Sequence, residues 1–266
     1  MKCINKNVLI LLALIICTTM ATTQVDSSET VYADTVRRVK IDVDRGGENK
    51  YVNVVRRRRI KTRVSLLEVG LNTLINTSDY KLENGINPFD LDIIKSKNLT
   101  YYPYMQRISL IKRKLNLIHG LGIQYYEYNF QNPVRLLPKN PHAEFVYQDN
   151  LDLKKNKLKI FYLSLPVMLN LETNPFKYSR SFRLSAGVEG GLRIRSWTKR
   201  KSDEFGKEKA KDDFNLNQFK LAVRGEIGVG IFNLFGTLNV TELFDIDQNN
   251  GYEVYPLTIG VKLLPF

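Results

Sequence analysis

Ten charged residues stand at alternate positions of stretches whose other positions are apolar: Glu68, Arg107, Arg183, Glu189, Arg193, Arg195, Lys220, Arg224, Glu226 and Lys262. A period of two is the strand repeat, so these side chains should point away from the apolar row and share one side of a sheet. Enclosed together, they have two chemistries open to them. Buried charges must be paired and hydrogen-bonded, which makes the set a structural salt-bridge plug. A surplus of one sign instead lines a path for the other: seven bases against three acids would favour anions.

The remaining candidates are weaker. Nucleophilic hydrolysis or acyl transfer on a membrane lipid needs a serine, a histidine and an acid placed together. The chain has two histidines, His119 and His142. His119 alternates with Leu117 and Leu121 and so shares their apolar face; His142 follows Pro141 in a long connection. Neither has a serine and an acid placed with it, so no enzyme and no cofactor are expected. Asp245 to Glu253 faintly resembles a calcium loop, but its glycine comes too late and its last acid too early. Arg56 to Arg59 would suit nucleic acid, which an exported protein does not meet; a basic collar near anionic headgroups suits them better. The glycines at 187, 190, 191, 225, 228 and 230 sit inside alternating stretches, so they allow strand bending and form no phosphate loop. Lys199 to Asp213 mixes six bases with five acids, the pattern of a solvated hairpin.

The elements that must position these residues are strands. Of 266 residues 43% are hydrophobic and 25% charged, the composition of a folded chain. After residue 21 no apolar run reaches the length of a membrane helix. From residue 62 onward eight segments alternate. The clearest apolar rows are Phe161, Leu163, Leu165, Val167, Leu169 and Leu171, then Phe182, Leu184, Ala186, Val188, Leu192 and Ile194. Phe219 to Val229, Phe232 to Val240 and Tyr255 to Leu263 follow, with noisier strands near 63–76, 99–112 and 115–130. No charge interrupts the apolar rows of the last five. Connections alternate between short (112–114, near 230) and long (77–98, 131–157, 198–216, 241–253), with a turn of moderate length at 173–178 on the side of the short ones, as in an outer-membrane barrel with short periplasmic turns. Tyr101, Tyr102, Tyr104, Tyr125, Tyr126, Tyr128, Trp197, Tyr252 and Tyr255 lie near strand ends, where aromatic girdles are expected.

The N-terminus reads as an export signal over residues 1–21: Lys2 and Lys6, an apolar core from Val8 to Ile16, and the small residues Thr19 and Ala21 before cleavage. Cys17 follows the bulky Ile16, which argues against lipidation. Both cysteines, Cys3 and Cys17, leave with the signal, so the mature chain has no disulfide. Cleavage takes Lys+Arg from 40 to 38 against 27 acids, or +11. Residues 22–61 are a basic segment with a probable β-hairpin: Val39 to Val43 and Tyr51 to Val55 alternate around a turn-rich Asp44 to Asn49.

The stretch Leu115 to Phe130 (LNLIHGLGIQYYEYNF), the strand Tyr162 to Leu169 (YLSLPVML), Asp212 to Asn217 (DDFNLN) and the ending Leu257 to Phe266 resemble the PorT-like outer-membrane β-barrel proteins of Bacteroidetes. The resemblance covers about 62–266. It implies an all-β, eight-stranded, antiparallel up-and-down transmembrane barrel, preceded by a periplasmic hairpin. It also implies a closing strand, ending at Phe266, that the barrel assembly machinery reads. It implies no catalytic residues. The expectation is a bacterial outer-membrane protein with periplasmic termini, in contact with outer-membrane lipids. With its lumen filled by side chains, the barrel would be structural or would bind, through its four outer loops or its periplasmic segment, a protein partner that the sequence does not name. A narrow anion-preferring channel and, less well, a lipid-modifying enzyme are the alternatives.

Overall fold

The computed structural model describes residues 35–41, 50–56, 60–78, 80–82, 84–111, 114–148, 152–174 and 181–263. The expected signal segment with Cys3 and Cys17, the bases Arg57 to Arg59, most of the turn near 173–178 and the terminal Phe266 lie outside them. The chain divides into two units, Met1–Arg58 and Arg59–Phe266. In the first, β1 (Thr35–Ile41) pairs antiparallel with β2 (Lys50–Arg56), Thr35 opposite Arg56 and Ile41 opposite Lys50.

In the second unit the regular elements are strands: β3 (Ile60–Arg63), β4 (Leu66–Asn76), β5 (Lys97–Ile111), β6 (Leu115–Asn129), β7 (Val134–Leu136), β8 (Phe145–Tyr147), β9 (Leu153–Glu172), β10 (Phe182–Ser202), β11 (Gly206–Lys211), β12 (Phe219–Val229), β13 (Phe232–Asn239) and β14 (Val254–Leu263). Eight of them, β4, β5, β6, β9, β10, β12, β13 and β14, each pair antiparallel with the next, and β14 pairs back onto β4. The sheet closes into an eight-stranded barrel. β3 prolongs the line of β4 along β5 past a bend at Ser65, whose φ is 64°.

Alternation sorts the side chains by face. On β9 the row Phe161 to Leu171 points outward and is partly exposed, while Leu158, Ile160, Tyr162, Ser164, Met168 and Asn170 are buried inside. Phe182, Leu184 and Val188 of β10, Leu221 and Val223 of β12, and Ile259 and Val261 of β14 continue the exposed apolar belt. Six outward side chains span about ten residues, roughly 33 Å along a strand and ~25 Å of height at barrel tilt, the thickness of an outer-membrane apolar band.

The connections segregate. Residues 77–96, 130–152, 203–218 and 240–253 join strands at one end, the loop end. The short connections 112–114, 173–181 and 230–231 lie at the other, the turn end. β9 and β10 are 20 and 21 residues long. They run past their apolar rows at the loop end, where β11 folds back along β10, from Trp197 opposite Lys211 to Ser202 opposite Gly206.

Candidate functional site

The middle of the bore is held by six acidic and basic side chains. Arg224 of β12, 1% exposed, reaches Glu68 of β4 at 2.6 Å, Glu226 at 2.8 Å and Glu189 of β10 at 3.1 Å. Lys220 meets Glu189 at 3.0 Å; Lys262 of β14 meets Glu226 at 2.8 Å and Glu68 at 3.2 Å. Three acids therefore face three bases, and every base has an acid within reach. Neutral groups complete the shell. Gln124 donates to Glu189 at 2.8 Å, and the Tyr102 hydroxyl donates to the same carboxylate at 3.4 Å. Two glycines make room for the cluster. A Cβ at Gly191 would lie 2.7 Å from Lys220 Cγ, and one at Gly122 would lie 2.6 Å from the Tyr102 ring.

Toward the turn end, Arg107 of β5 pairs with Glu172 of β9 at 2.7 Å, and Ser181 donates to Glu172 at 3.3 Å. Arg183 donates to the Gly230 carbonyl at 2.5 Å and to Asn233 at 2.8 Å. Asn116 donates to Asn170 at 3.1 Å, which in turn donates to Ser185 at 3.0 Å. A small cleft between Arg107, Arg183, Glu226 and Lys262 leaves room for about one water.

Two of the ten charged residues do not join the set. Pairing steps from Arg193 opposite Tyr162 to Arg195 opposite Phe161, so Ile194 is an extra residue, a β-bulge. The bulge flips the face downstream, and Arg195 is exposed outside, its guanidinium 5.7 Å from the Trp197 ring. Arg193 keeps its side but sits at the loop-end rim, donating to the carbonyls of Leu216 and Asn217 at 3.1 and 3.3 Å. Glu172, which the sequence reading missed, belongs to the interior; it has the same parity as Ser164 and Asn170. Within the bore, below the dome, the buried charges are thus Arg107, Arg183, Lys220, Arg224 and Lys262 against Glu68, Glu172, Glu189 and Glu226, while Arg200 is buried beyond them at the loop end, beside Glu208. The expected surplus of seven bases over three acids shrinks to five over four.

The loop end is closed by apolar packing. Phe89 from the first long loop, Phe130, Leu136 and Phe145 from the second, Phe214 and Leu216 from the third, and Leu243, Phe244 and Tyr252 from the fourth form one buried cluster. Phe145 lies at its centre, its ring 5.3 Å from Phe89, 5.7 Å from Phe130, 5.8 Å from Tyr252 and 6.1 Å from Phe244. Backbone bonds lace the loops together: Gln131 to Asp90 at 2.9 Å, Ala143 to Gln248 at 2.7 Å, Asn217 to Leu243 at 2.9 Å and Asp245 to Asn215 at 2.8 Å. Below this dome, inward Tyr126, Tyr128, Leu158, Ile160 and Tyr162 carry the cluster into the bore. Lys220 joins the two layers, donating to the Tyr126 hydroxyl at 2.7 Å and to Gln124 at 2.6 Å.

The expected aromatic girdle is smaller than its nine residues. Tyr102, Tyr126 and Tyr128 are inside the bore and Tyr252 is inside the dome, because adjacent positions on a strand face opposite ways and loop aromatics follow no face. Tyr101, Tyr104, Tyr125, Trp197 and Tyr255 remain on the outside, joined by Phe161. His119 is on the outward face, its Nε2 3.1 Å from Gln106. Among the described residues no group of three histidine, cysteine or acidic side chains is placed to hold a metal ion. Asp245 to Glu253 instead folds as a loop of the dome, with Gly251 at φ 78°.

Comparison with known families agrees with this geometry. The family described as outer membrane protein beta-barrel domain matches residues 63–244. No curated protein matches the chain. The match spans more than half of the sequence, and the chain belongs to that family; its place is the outer membrane.

Proposed function

We propose that this member of the outer-membrane β-barrel family is a closed barrel with a structural or partner-binding role, in which the domed loop end is the surface offered to a partner. One observation carries the reading: the bore is filled through its middle by paired charges and closed at the loop end by the dome. Ions crossing it would have to part buried ion pairs and an aromatic core. The long connections favour a loop end facing the exterior and both termini facing the periplasm. The basic residues before the barrel suit anionic headgroups on that side, and β14 is the closing strand that the assembly machinery would read. Within the family we assign the chain to the PorT-like branch, on the strand motifs at 115–130 and 162–169.

The test is conductance. Purified full-length protein in planar bilayers should give no steady single-channel current, and its outer-membrane form should show heat-modifiable gel mobility. Steady anion-selective current from wild-type protein would overturn the closed barrel in favour of a narrow channel. Among the described residues the ring of His119 meets Gln106 and no serine or acid, which gives a lipid-modifying activity no support there. Altered lipid A mass spectra in a deletion strain would be the result against us. Affinity capture from crosslinked outer membranes would name the partner.

A further inference from the structure

Past the apolar belt, the outward face of β9, β10 and β11 turns basic. On β9 the outward row ends at Phe161 and continues as Lys159, Lys157 and Lys155; on β10 it continues as Arg195, Trp197, Lys199 and Lys201. Pairing sets Lys199 directly opposite both Lys157 and Lys209, and Lys201 opposite both Lys155 and Lys207. Like charges opposite one another weaken an antiparallel pair. Four such juxtapositions side by side form a strongly self-repelling surface. Lys199, which lies beyond the belt, is held below its ordinary lysine pKa, first by Lys207 and then by partial desolvation and the remaining lysines around it.

The acids of the same hairpin do not relieve this. Glu208 points to the other face, where it pairs with Arg135 at 2.6 Å and Arg200 at 3.1 Å. Asp203 stands at the tip of the hairpin with Lys154. Glu127 of β6, bridging Lys157 and Lys159, is the acid that the described residues place beside the lysine rows. The mixed charge of Lys199 to Asp213 is therefore mixed only along the chain. In space, alternation sends the bases of β11 outward and its acid inward.

At the boundary between belt and bases lies an aromatic strip. Trp197 stacks on Phe161 at 5.6 Å with 20° between the rings, and Tyr125 lies 5.1 Å from Phe161. Lys209 sits over the Trp197 ring at 4.9 Å. Aromatic side chains in this position mark the level of lipid headgroups.

We infer that this face of β9, β10 and β11 binds the phosphate-bearing headgroups of lipids in the leaflet at the loop end. Position selects a lipid over other polyanions. The lysine rows begin one outward step, roughly 7 Å along the strand, beyond the last apolar side chain. A lipid whose acyl chains lie on Leu163 and Leu165 carries its phosphates level with Lys159 and Lys199. Each phosphate placed between opposed lysines turns a repulsion into two attractions.

The inference rests on the membrane placement of the belt and not on a closed bore, so it and the proposed function fail separately. The experiment uses full-length protein in phosphatidylcholine nanodiscs, with or without bis-phosphorylated lipid A, and with dephosphorylated lipid A as the control. Wild-type protein should gain several degrees in unfolding midpoint with lipid A and nothing with the dephosphorylated form. The triple variant Lys157→Gln, Lys199→Gln, Lys209→Gln should start at or above wild type in pure phosphatidylcholine, because its repulsion is relieved. It should lose most of the gain and retain several-fold less lipid A. An undiminished gain and equal retention in the triple variant would overturn the inference. So would an equal gain from soluble polyphosphate, which would assign the face to a soluble polyanion. If the triple variant does not fold, Glu127→Gln decides: it removes the neighbouring acid and should raise lipid A retention, and unchanged or lower retention counts against the site.

Discussion

The middle of the bore and the dome above it fill the same barrel by opposite means. The middle is ionic: Arg224, Lys220 and Lys262 against Glu68, Glu189 and Glu226, all contributed by strands. The dome is apolar, and its residues come from the four long loops. The strands leave little choice, since their outward positions must be apolar and their inward ones cannot all be without losing the contrast that sets strand register. Loops have no such alternation to keep. They close by burying aromatic rings, which need no partner of opposite sign. The ionic layer should then be sensitive to charge balance and the dome to volume.

Removing Arg224 should be the most costly single change. Three acids would be left with Lys220 and Lys262, so one carboxylate stays buried without a counter-charge. The cost of Arg224→Met is on the order of 3–5 kcal/mol. The unfolding midpoint, followed by heat-modifiable mobility, should fall accordingly. An unchanged midpoint would mean that water reaches the cluster and screens it, and the ionic layer would no longer be a plug.

Phe244→Ala tests the dome. Phe244 is fully buried between Phe89, Phe145 and Tyr252, and the truncation should cost about 3 kcal/mol. The loss should be local. Loops 130–152 and 240–253 should be cut at lower protease concentration, while the barrel midpoint stays close to that of wild type. A midpoint that falls as far as the loop protection would show that dome and bore unfold as one unit.

Charge balance is sharpened by removing a pair together. Glu226→Gln with Lys262→Met deletes one acid and one base, leaving Arg224 on Glu68 and Glu189. The double change should cost under about 1 kcal/mol, less than either single change, because a buried pair replaced whole is often nearly neutral. Additive single costs in the double variant would show that these two side chains do not act on each other.

The two layers also differ in how far the sequence revealed them. Glu68, Glu189, Lys220, Arg224, Glu226 and Lys262 were legible because inward position is a matter of parity. Parity failed at Arg195, where the single inserted residue Ile194 shifts the face and leaves no mark in composition. Glu172 was legible in principle, on the parity of Asn170, but it stands at the end of the alternating stretch. The dome was not legible. Phe89, Phe145, Phe214 and Phe244 lie far apart in four loops with no common period, and closure of the barrel is what brings them together. Aromatic residues inside connections otherwise rich in polar ones were the available signal. The lysine face was hidden by the reverse effect, a neutral-looking run whose charges separate once β11 folds onto β10.

The smallest effect concerns Tyr252 and sets the dome apart from the bore by pH. Burial and the neighbouring Tyr80 push its hydroxyl up to about 12 from an ordinary value of 10.0. The unfolded loop sheds this proton near pH 10, while the folded dome keeps it to higher pH. Its contribution to stability is therefore complete below pH 10 and is lost as pH rises from 10 toward 12. The shift belongs to a single hydroxyl, so the loss should be modest and confined to the fourth loop. Protease protection of residues 240–253 should decline across that window in wild-type protein. In Tyr252→Phe, which keeps the ring contacts and has no proton to lose, protection should hold further into the window. Equal decline in both would assign the alkaline loosening to tyrosines elsewhere, and the dome would then share its pH response with the bore.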